Sequence, residues 1–306
     1  MITALCMNPA FDRTLEVDRL VPGELNRVRV SRQDVGGKGI NVAVVAKRLG
    51  LEARVVGCAG QEGAAAISAM LDGEGIRHAL LPIPGRVRTN LKIVSLGGSS
   101  VTELNEPGAA LTANQLELLT AMCRDSAAGS DWMVLTGSLP PGCPAGAYRA
   151  LMEALDTPCI LDASGAALRQ GLTARPFLIK PNLREAEAAL GRPIASVDDA
   201  RAAAEEFLRL GAQHVILSMG GLGAIYTGEG IALFAPALPV EVRSTVGAGD
   251  AMLGGVLKGM QEERDMTLAF RYGVAAGAAS VMTSGTQLIV PADFARLLEQ
   301  VKVLPL

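Results

Sequence analysis

Short apolar segments alternate along most of the chain with longer segments of helical spacing. The short segments are rich in aliphatic residues and show little polar alternation, which is typical of strands buried on both faces. Strands joined by helices predict a mainly parallel sheet that is covered on both sides, an α/β fold. The predicted strands are Ile2–Met7, Ala53–Cys58, Trp132–Thr136, Cys159–Asp162, Phe177–Ile179 and His214–Ser218. The predicted helices between them are Gly39–Leu49, Ala64–Leu71, Ala113–Ala127, Ala145–Leu155, Leu183–Leu190 and Asp198–Leu210.

After Tyr226 the pattern changes and predicts a hairpin followed by three helices. The hairpin strands are Ala224–Tyr226 and Ile231–Phe234, and the helices are Asp250–Met260, Thr267–Met282 and Pro291–Val301. Because no internal repeat or long linker divides the sequence, we expect one domain over residues 1–306.

Two segments depart from this rhythm and alternate polar with apolar residues. They lie within residues 13–34, at Arg27–Ser31, and within residues 87–105, at Thr89–Val94. Strict alternation predicts strands with one apolar and one solvated face. We expect the two insertions to form a small β-lid whose apolar face is covered by the lid of a second copy, giving a homodimer. The residues expected on that face are Val28, Val30, Leu91 and Ile93.

Composition and charge narrow the class of protein. Of 306 residues, 49% are hydrophobic, which is enough for a large core and excludes general disorder. A net charge of -3 and 3% aromatic residues, without a basic block, argue against a nucleic-acid partner. No apolar stretch approaches the roughly 18 residues of a membrane span, and the first residues do not resemble a signal peptide. Five cysteines without a CxxC pair and two histidines argue against a zinc site and for a cytoplasmic protein.

The strongest candidate for chemistry is the segment Ser244–Gly255. Its turn of Gly247, Ala248 and Gly249 leads into a helix that is predicted to start at Asp250. Small residues let a ligand approach the backbone, and the N–H groups and dipole of a helix N-terminus favour an anion. Asp250 is either an ordinary N-cap or a carboxylate that accepts the proton of a hydroxyl attacking a phosphoryl group. The glycine content of the turn favours the second interpretation.

A second glycine-rich segment, Gly36–Asn41, precedes a predicted helix. It lacks the spacing of a P-loop, and it does not follow the first strand as a dinucleotide fingerprint does. Two interpretations stay open for this segment. It is a tight turn before a helix, or a backbone platform for substrate oxygens with Asn41 as a hydrogen-bond donor.

Polar residues near the predicted lid suit a sugar or a phosphate. Arg88, Asn90 and Lys92 share one strand face, because side chains repeat every two residues. Two cations and an amide suit a phosphate, although a solvated lid face would look similar. Asp12 follows the first strand and is either a ligand for sugar hydroxyls or a turn residue.

Two further segments follow predicted strands. In Lys180–Glu185, Asn182 and Glu185 have the spacing of a capping box, and Glu185 also suits Mg²⁺ held through water. The segment Ser218–Gly223 allows close approach to a nucleotide or forms a simple turn. The carboxyl ends of strands are where α/β sheets bind ligands, so both segments are candidates for one crevice.

Taken together, these motifs resemble the two signatures of the PfkB (ribokinase-like) carbohydrate kinases, which the chain matches at Gly36–Asn41 and Thr245–Asp250. The resemblance spans nearly the whole chain, starting at Asn8–Asp12. It is greatest with the 1-phosphofructokinase and tagatose-6-phosphate kinase branch, at Arg88–Lys92, Glu103–Gly108, Gly137–Pro140 and Ser244–Val246. The fold it implies is a Rossmann-like three-layer α/β/α domain with a β-lid that often pairs in dimers.

The resemblance also implies a role for each motif. Asp250 is expected to be the catalytic base, and Gly247, Ala248 and Gly249 to hold the transferring phosphoryl group. The residues implied in substrate binding are Asp12, Gly37, Lys38, Asn41, Arg88, Asn90 and Lys92. Those implied in binding ATP are Lys180, Asn182, Ser218, Gly220, Gly221 and Gly223, with Glu185 holding Mg²⁺ through water. Ser244 replaces an Asp that relatives carry near a monovalent-cation site, so potassium activation is not predicted.

The activity implied is ATP-dependent phosphorylation of a ketohexose phosphate, with fructose 1-phosphate converted to fructose 1,6-bisphosphate as the first choice. Tagatose 6-phosphate and fructose 6-phosphate are alternatives, because Arg88 and Lys92 suit a phosphate at either end of the sugar. A neutral sugar or nucleoside is disfavoured, since it has no use for two cations. A non-catalytic sugar-phosphate sensor is disfavoured by the presence of Asp250, and a nicotinamide-dependent oxidoreductase by the placement of the glycines.

Overall fold

The computed structural model describes residues 1–97, 100–283 and 287–306. The strands are β1 (Ile2–Cys6), β2 (Ala10–Val17), β3 (Val28–Gly36), β4 (Ala53–Glu62), β5 (Arg77–Arg86), β6 (Arg88–Ser95), β7 (Ser100–Asn105), β8 (Trp132–Thr136), β9 (Cys159–Asp162), β10 (Leu178–Ile179), β11 (His214–Ser218), β12 (Ala224–Gly228), β13 (Ile231–Ala235) and β14 (Leu304–Pro305). The helices are α1 (Lys38–Arg48), α2 (Ala64–Gly73), α3 (Ala113–Ala127), α4 (Ala147–Glu153), α5 (Gly165–Leu172), α6 (Leu183–Leu190), α7 (Val197–Arg209), α8 (Ala248–Glu263), α9 (Met266–Val281) and α10 (Pro291–Leu298).

A large sheet of ten strands forms the centre of the described chain, in the order β14-β13-β12-β11-β10-β9-β8-β1-β4-β5. Seven neighbouring strands of this sheet run parallel, namely β5, β4, β1, β8, β9, β10 and β11. Strands β12, β13 and β14 add an antiparallel edge. One buried cluster lies between the sheet and α1, α2, α8, α9 and α10, and a second lies between the sheet and α3 to α7. The predicted three-layer α/β/α fold with a mainly parallel sheet is confirmed.

Local signals explain most element boundaries. Thr112 caps α3 and Asn182 caps α6, each in a capping box with the residue three positions later. Three elements were not predicted: β5, α5 and β14. Strand β5 contains Pro82 and Pro84 and lies at the edge of the sheet, where proline is tolerated.

Within the described residues, no helix is long and apolar enough to cross a membrane.

A separate four-stranded sheet, in the order β3-β2-β6-β7, forms the lid. Its first hairpin spans residues 10–36, slightly more than the predicted 13–34. Its second hairpin falls within the predicted 87–105, of which residues 98 and 99 lie outside the described part. Asp12 is therefore a strand residue of the lid rather than a turn residue.

The prediction that Val28, Val30, Leu91 and Ile93 share one lid face is wrong for Val30. Directly opposed residues project to the same face, and Val30 opposes Glu16 whereas Ile93 opposes Leu15. A register shift between Glu16 and Val17 separates Val30 from Val28 in this way. Each face of the lid therefore carries apolar residues.

Candidate active site

Asp250 lies in the first turn of α8, at the carboxyl edge of the large sheet. The helix begins at Ala248 with Gly247 as its N-cap, two residues before the predicted start at Asp250. The alternative interpretation of Asp250 as an ordinary N-cap is therefore wrong. Gly247 has φ +76°, and a Cβ there would lie 2.8 Å from the Leu288 side chain, so this turn requires glycine. The N–H groups of the first helical turn face the same edge and suit an anion.

The environment of Asp250 gives it the properties of a base that works near neutral pH. Its side chain is buried, and Oδ2 accepts a hydrogen bond of 2.8 Å from Asn41 Nδ2. Burial, the largest effect, and the nearby Asp162 raise the pKa of Asp250, whereas Lys38, Asn41 and Lys180 lower it, and the net result is a pKa of about 6. A group with a pKa just below 7 is ionised at physiological pH and still accepts a proton readily.

Helix α1 brings the second glycine-rich segment to Asp250. Its N-cap is Gly37, with φ +126°, and its first residue is Lys38. Asn41, on the next turn, is 6% exposed and is oriented by the bond to Asp250. The sugar-binding roles of Gly37, Lys38 and Asn41 remain predictions, and the structure adds that Asn41 contacts Asp250 directly.

A cluster of charges around the buried carboxylate of Asp162 lies next to the turn of Gly247 to Asp250. Lys38 Nζ is 3.2 Å from Asp162 Oδ2, and Lys180 Nζ is 3.3 Å from Asp162 Oδ1. The ammonium of Lys180 also lies 3.0 Å from the point where a Cβ on Gly249 would be. Two cations therefore flank the place where the helix N-terminus would hold an anion.

On the lid, the polar residues predicted to share a face do so, together with Asp12. Asn90 Nδ2 donates to Asp12 Oδ1 at 2.9 Å, and Lys92 Nζ lies 3.7 Å from Asp12 Oδ2. Arg88 donates to the carbonyl oxygens of Glu106 and Asn8 at 3.1 and 3.0 Å. We call these four residues, Asp12, Arg88, Asn90 and Lys92, the lid cluster.

Several groups of the lid cluster are buried without partners. Among the described residues, Arg88 Nε and Asn90 Oδ1 have no hydrogen-bond partner, and Lys92, which is 8% exposed, makes only the ion pair. Buried polar atoms are almost always paired, so unpaired ones of this kind make the lid cluster a candidate ligand-binding site. A cationic donor, an ammonium and an amide oxygen fit a ligand that carries both a phosphate and hydroxyl groups.

The opposite side of the crevice brings together the segments around Asn182 and Ser218, which form an isolated parallel bridge. The capping interpretation of Asn182 and Glu185 is confirmed, because Asn182 Oδ1 accepts from Glu185 N at 3.0 Å and Glu185 Oε2 accepts from Asn182 N at 2.9 Å. The other oxygen, Oε1, lies 3.8 Å from Lys38 Nζ, so Glu185 also faces the charge cluster.

The glycines after β11 have different structural roles. A Cβ on Gly223 would lie 2.1 Å from the carbonyl oxygen of Ala235, so that glycine is required for packing against β13. Among the described residues, apart from the chain neighbours, no heavy atom lies within 4 Å of the point where a Cβ on Gly220 or Gly221 would be. These two positions therefore face open space. Nucleotide binding by Ser218, Gly220, Gly221 and Gly223 remains a prediction, and open backbone at two of these positions is compatible with it.

Comparison with known proteins gives this arrangement a family. The profile of the pfkB family carbohydrate kinases matches residues 3–293. The chain belongs to the pfkB family. The 1-phosphofructokinase of Rhodobacter capsulatus is 36% identical, with 99% of this chain and 97% of the relative covered. The 1-phosphofructokinase of Bacillus subtilis is 32% identical, with 99% of both covered. Phosphofructokinase-2 from Escherichia coli, solved in complex with potassium, has a TM-score of 0.91 and 30% identity over 98% of both chains.

As a pfkB family kinase, the chain is a carbohydrate phosphotransferase, and the resemblance seen in the sequence is confirmed. The two signature segments, Gly36–Asn41 and Thr245–Asp250, meet in the fold through the bond between Asn41 and Asp250. Lys38, at the start of α1, also lies 3.2 Å from Asp162 Oδ2 and 3.8 Å from Glu185 Oε1, which brings the segment around Glu185 to the same place. Convergence of the other predicted motifs on this crevice remains a prediction. The assignment of a role to each residue remains a prediction.

Sequence reasoning missed one charged residue at this site. Asp162 ends a strand that the sequence predicts correctly, but nothing in its neighbours marks it as more than a strand terminus. Its partner Lys38 is 124 residues away in the chain, and Lys180 comes from the following strand. A carboxylate at the carboxyl end of a buried parallel strand was the available signal.

Proposed function

We propose that this pfkB family kinase transfers the γ-phosphoryl group of ATP to fructose 1-phosphate and produces fructose 1,6-bisphosphate. The observation that carries the proposal is the lid cluster. Within the described residues, Arg88 Nε and Asn90 Oδ1 are buried without a hydrogen-bond partner, and the buried Lys92 ammonium makes only its ion pair with Asp12. A phosphate that is already on the sugar would satisfy the two cations. The curated relatives quoted above, which are named 1-phosphofructokinases, support the same substrate.

In this proposal Asp250 accepts the proton of the attacking sugar hydroxyl. The hydroxyl oxygen forms a bond to the γ-phosphorus, and the bond from that phosphorus to the bridging oxygen breaks, leaving ADP. The first-turn N–H groups of α8, with Lys38 and Lys180 beneath them, stabilise the negative charge on the transferring group. Asn41 holds the carboxylate of Asp250 in place through its 2.8 Å hydrogen bond.

The residues at the nucleotide side fit a magnesium ion that is held mostly by phosphate oxygens and water. Among the described residues there is no group of three or more potential metal ligands. This agrees with the usual binding of Mg²⁺ through one or two carboxylates and the substrate phosphates. Glu185, with one oxygen free of the cap, is the carboxylate we assign to hold the ion through water, where Mg²⁺ would neutralise charge between the β- and γ-phosphates.

A coupled assay of ADP release tests the substrate. We expect kcat/KM to be greatest with fructose 1-phosphate, lower with fructose 6-phosphate and tagatose 6-phosphate, and negligible with ribose. Greatest activity with either other phosphate would correct the substrate within the same class. Faster use of ribose would contradict the role of the lid cluster, and no ADP release with any sugar would favour a sensor.

Glu185→Gln is expected to raise the Mg²⁺ concentration needed for half-maximal activity, while the KM for the sugar phosphate changes little. Gln also completes a capping box, so the substitution removes the charge and keeps the cap of α6. The measurement is a Mg²⁺ titration at saturating ATP and sugar phosphate. Glu187→Gln on the same helix is the matched control, since Glu187 accepts a hydrogen bond from Ile194 N outside the site. An unchanged titration would leave Glu185 as a cap alone.

We also propose a cytoplasmic homodimer formed through the lid, because both lid faces expose apolar side chains. Leu104 is 53% exposed and opposes Leu91 on one face, whereas Val101 is 58% exposed and opposes Val94 on the other. Light scattering of Leu104→Asp and Val101→Asp identifies the interface. We expect the unmodified chain to be a dimer and one of the two variants to be a monomer. A monomeric wild type, or two dimeric variants, would contradict the proposal.

A further inference from the structure

The carboxylate of Asp162 is the most enclosed charge in the site, and it lies between two ammonium groups. Its side chain has no exposed surface, and Oδ2 accepts from Thr136 Oγ1 at 3.0 Å and from Lys38 Nζ at 3.2 Å. The other oxygen, Oδ1, has no hydrogen bond within the described residues and lies 3.3 Å from Lys180 Nζ. Burying a carboxylate costs free energy unless the charge is paired, and here the two lysines provide that pairing. A charged group that needs two partners in the interior is expected to have a function.

The two lysines held by Asp162 face different parts of the crevice. Lys180 is only 3% exposed, and its ammonium lies directly beneath Gly249. The side chain of Lys38 is 38% exposed, and its ammonium lies between the carboxylates of Asp162 and Glu185. The carboxylate therefore fixes one cation under the helix N-terminus and a second at the mouth of the crevice.

We propose that Asp162 is a positioning residue for phosphoryl transfer, which acts by holding Lys180 beneath the Gly247–Asp250 turn and Lys38 beside it. It touches neither substrate in this proposal, and its effect passes through the two lysines. The inference deepens the proposed function, on which it rests, because it concerns how the same site places positive charge around the transferring group.

Charge balance supports this role. Burial raises the pKa of Asp162, but Lys180, Lys38 and the hydroxyl of Thr136 more than offset it and bring the value to about 2, so the carboxylate stays ionised. Asp162 in turn is the main cause that raises the pKa of Lys38 above its usual range. Without the carboxylate, the ammonium groups of Lys38 and Lys180 would be free to move towards the phosphate oxygens of bound ATP. They would then not be fixed in the positions that the transition state needs.

Asp162→Asn is therefore expected to lower kcat by up to about 100-fold, the cost of misplacing groups that must be aligned. The KM for ATP should stay the same or fall, because one negative charge near the polyphosphate is lost. Binding of a non-hydrolysable ATP analogue, measured by calorimetry, should likewise be no weaker than in the wild type. A merely structural role predicts the opposite, with weaker binding of the analogue and higher KM values for both substrates.

The acid side of the pH profile gives a second readout. The charged groups that face Asp250 are Lys38 from α1, Asp162 from β9 and Lys180 after β10, with the neutral amide of Asn41. Removing the negative charge of Asp162 leaves the two cations to stabilise ionised Asp250. The acid limb of kcat/KM should therefore move to lower pH in Asp162→Asn, and a limb that stays in place would count against the proposal.

A double-mutant cycle with Lys180→Met tests whether Asp162 acts through the lysine. If it does, adding Asp162→Asn to Lys180→Met should cost much less than it costs the wild type, whereas additive losses would overturn the proposal. The double variant removes both buried charges, so it keeps the test available even if Asp162→Asn alone does not fold. In that case a kcat in the double variant close to that of Lys180→Met, lowered only by the smaller effect that passes through Lys38, supports the proposal, and a further loss of about 100-fold contradicts it.

Asp131→Asn is the matched control, since Asp131 forms an ion pair with the N-terminal amino group just before β8, at the opposite edge of the sheet. Its kcat and analogue binding should equal those of the wild type. The calorimetric experiment uses the nucleotide analogue alone and needs no turnover. A wild type that phosphorylates none of the sugars would therefore overturn the proposed function and leave the test of Asp162 in binding intact.

Discussion

Asp250→Asn should lower kcat by roughly 10²–10⁴-fold, the usual loss when a general base is removed. Asn has nearly the same shape, and its side-chain oxygen can still accept the hydrogen bond from Asn41. The free energy of unfolding should not fall at pH 7. The folded pKa of Asp250, about 6, lies above the ordinary value of 3.8 for this side chain, so the ionised carboxylate costs stability once the pH rises through these values. Steady-state kinetics and thermal unfolding of the same preparation measure both effects.

The pH dependence of kcat/KM distinguishes the titration of Asp250 from that of the substrate phosphates. We expect kcat/KM of the wild type to fall as the pH drops below about 6, because protonated Asp250 cannot accept the proton of the hydroxyl. Phosphate groups of the substrates titrate in the same region, with a second pKa near ~6. The residual activity of Asp250→Asn retains substrate titration and lacks that of the base, so its profile should be flatter on the acid side. Near-normal turnover in Asp250→Asn, or an identical acid limb, would contradict the assignment.

The sequence predicted the elements whose pattern depends on local burial. Strands such as β8 and β11 are short apolar runs that are buried on both faces, and their bounds match the prediction. Strand β5 and helix α5 were missed because proline and glycine interrupt their patterns, while their place in the fold depends on neighbours far along the chain.

The site was predictable where the backbone itself recognises a ligand, as in the glycine turns before α1 and α8. It was not predictable where function depends on pairing across the fold. Asp162 gains its importance only from Lys38 and Lys180, which other elements bring to it. Likewise, the start of α8 at Ala248 places Asp250 in the first turn, and the register shift in the lid separates Val30 from Val28.

The lid cluster can be tested by a substitution that separates a phosphorylated from a neutral substrate. Lys92→Met keeps the buried stem of the side chain and removes the charge. A charge-assisted hydrogen bond is worth roughly 1.5–3 kcal/mol, so the KM for the sugar phosphate should rise by about one to two orders of magnitude. The KM for ATP should change much less, because the nucleotide segments lie across the crevice from the lid.

Arg88→Ala should also weaken sugar-phosphate binding, but it is the less clean of the two tests. Arg88 ties the carbonyl oxygens of Asn8 and Glu106 to the lid, so its loss is expected to lower the free energy of unfolding as well.

Lys47→Met is the control for Lys92→Met, because the Lys47 ammonium pairs with the exposed carboxylate of Glu52, and an exposed ion pair has little energetic effect. Both KM values should stay unchanged in that control. If Lys92→Met raised the KM of ATP and of the sugar phosphate equally, or raised neither, Lys92 would not bind the substrate phosphate. That outcome would bring a neutral sugar back as the candidate substrate, and a comparison of fructose with fructose 1-phosphate in the same variant would decide between these substrates.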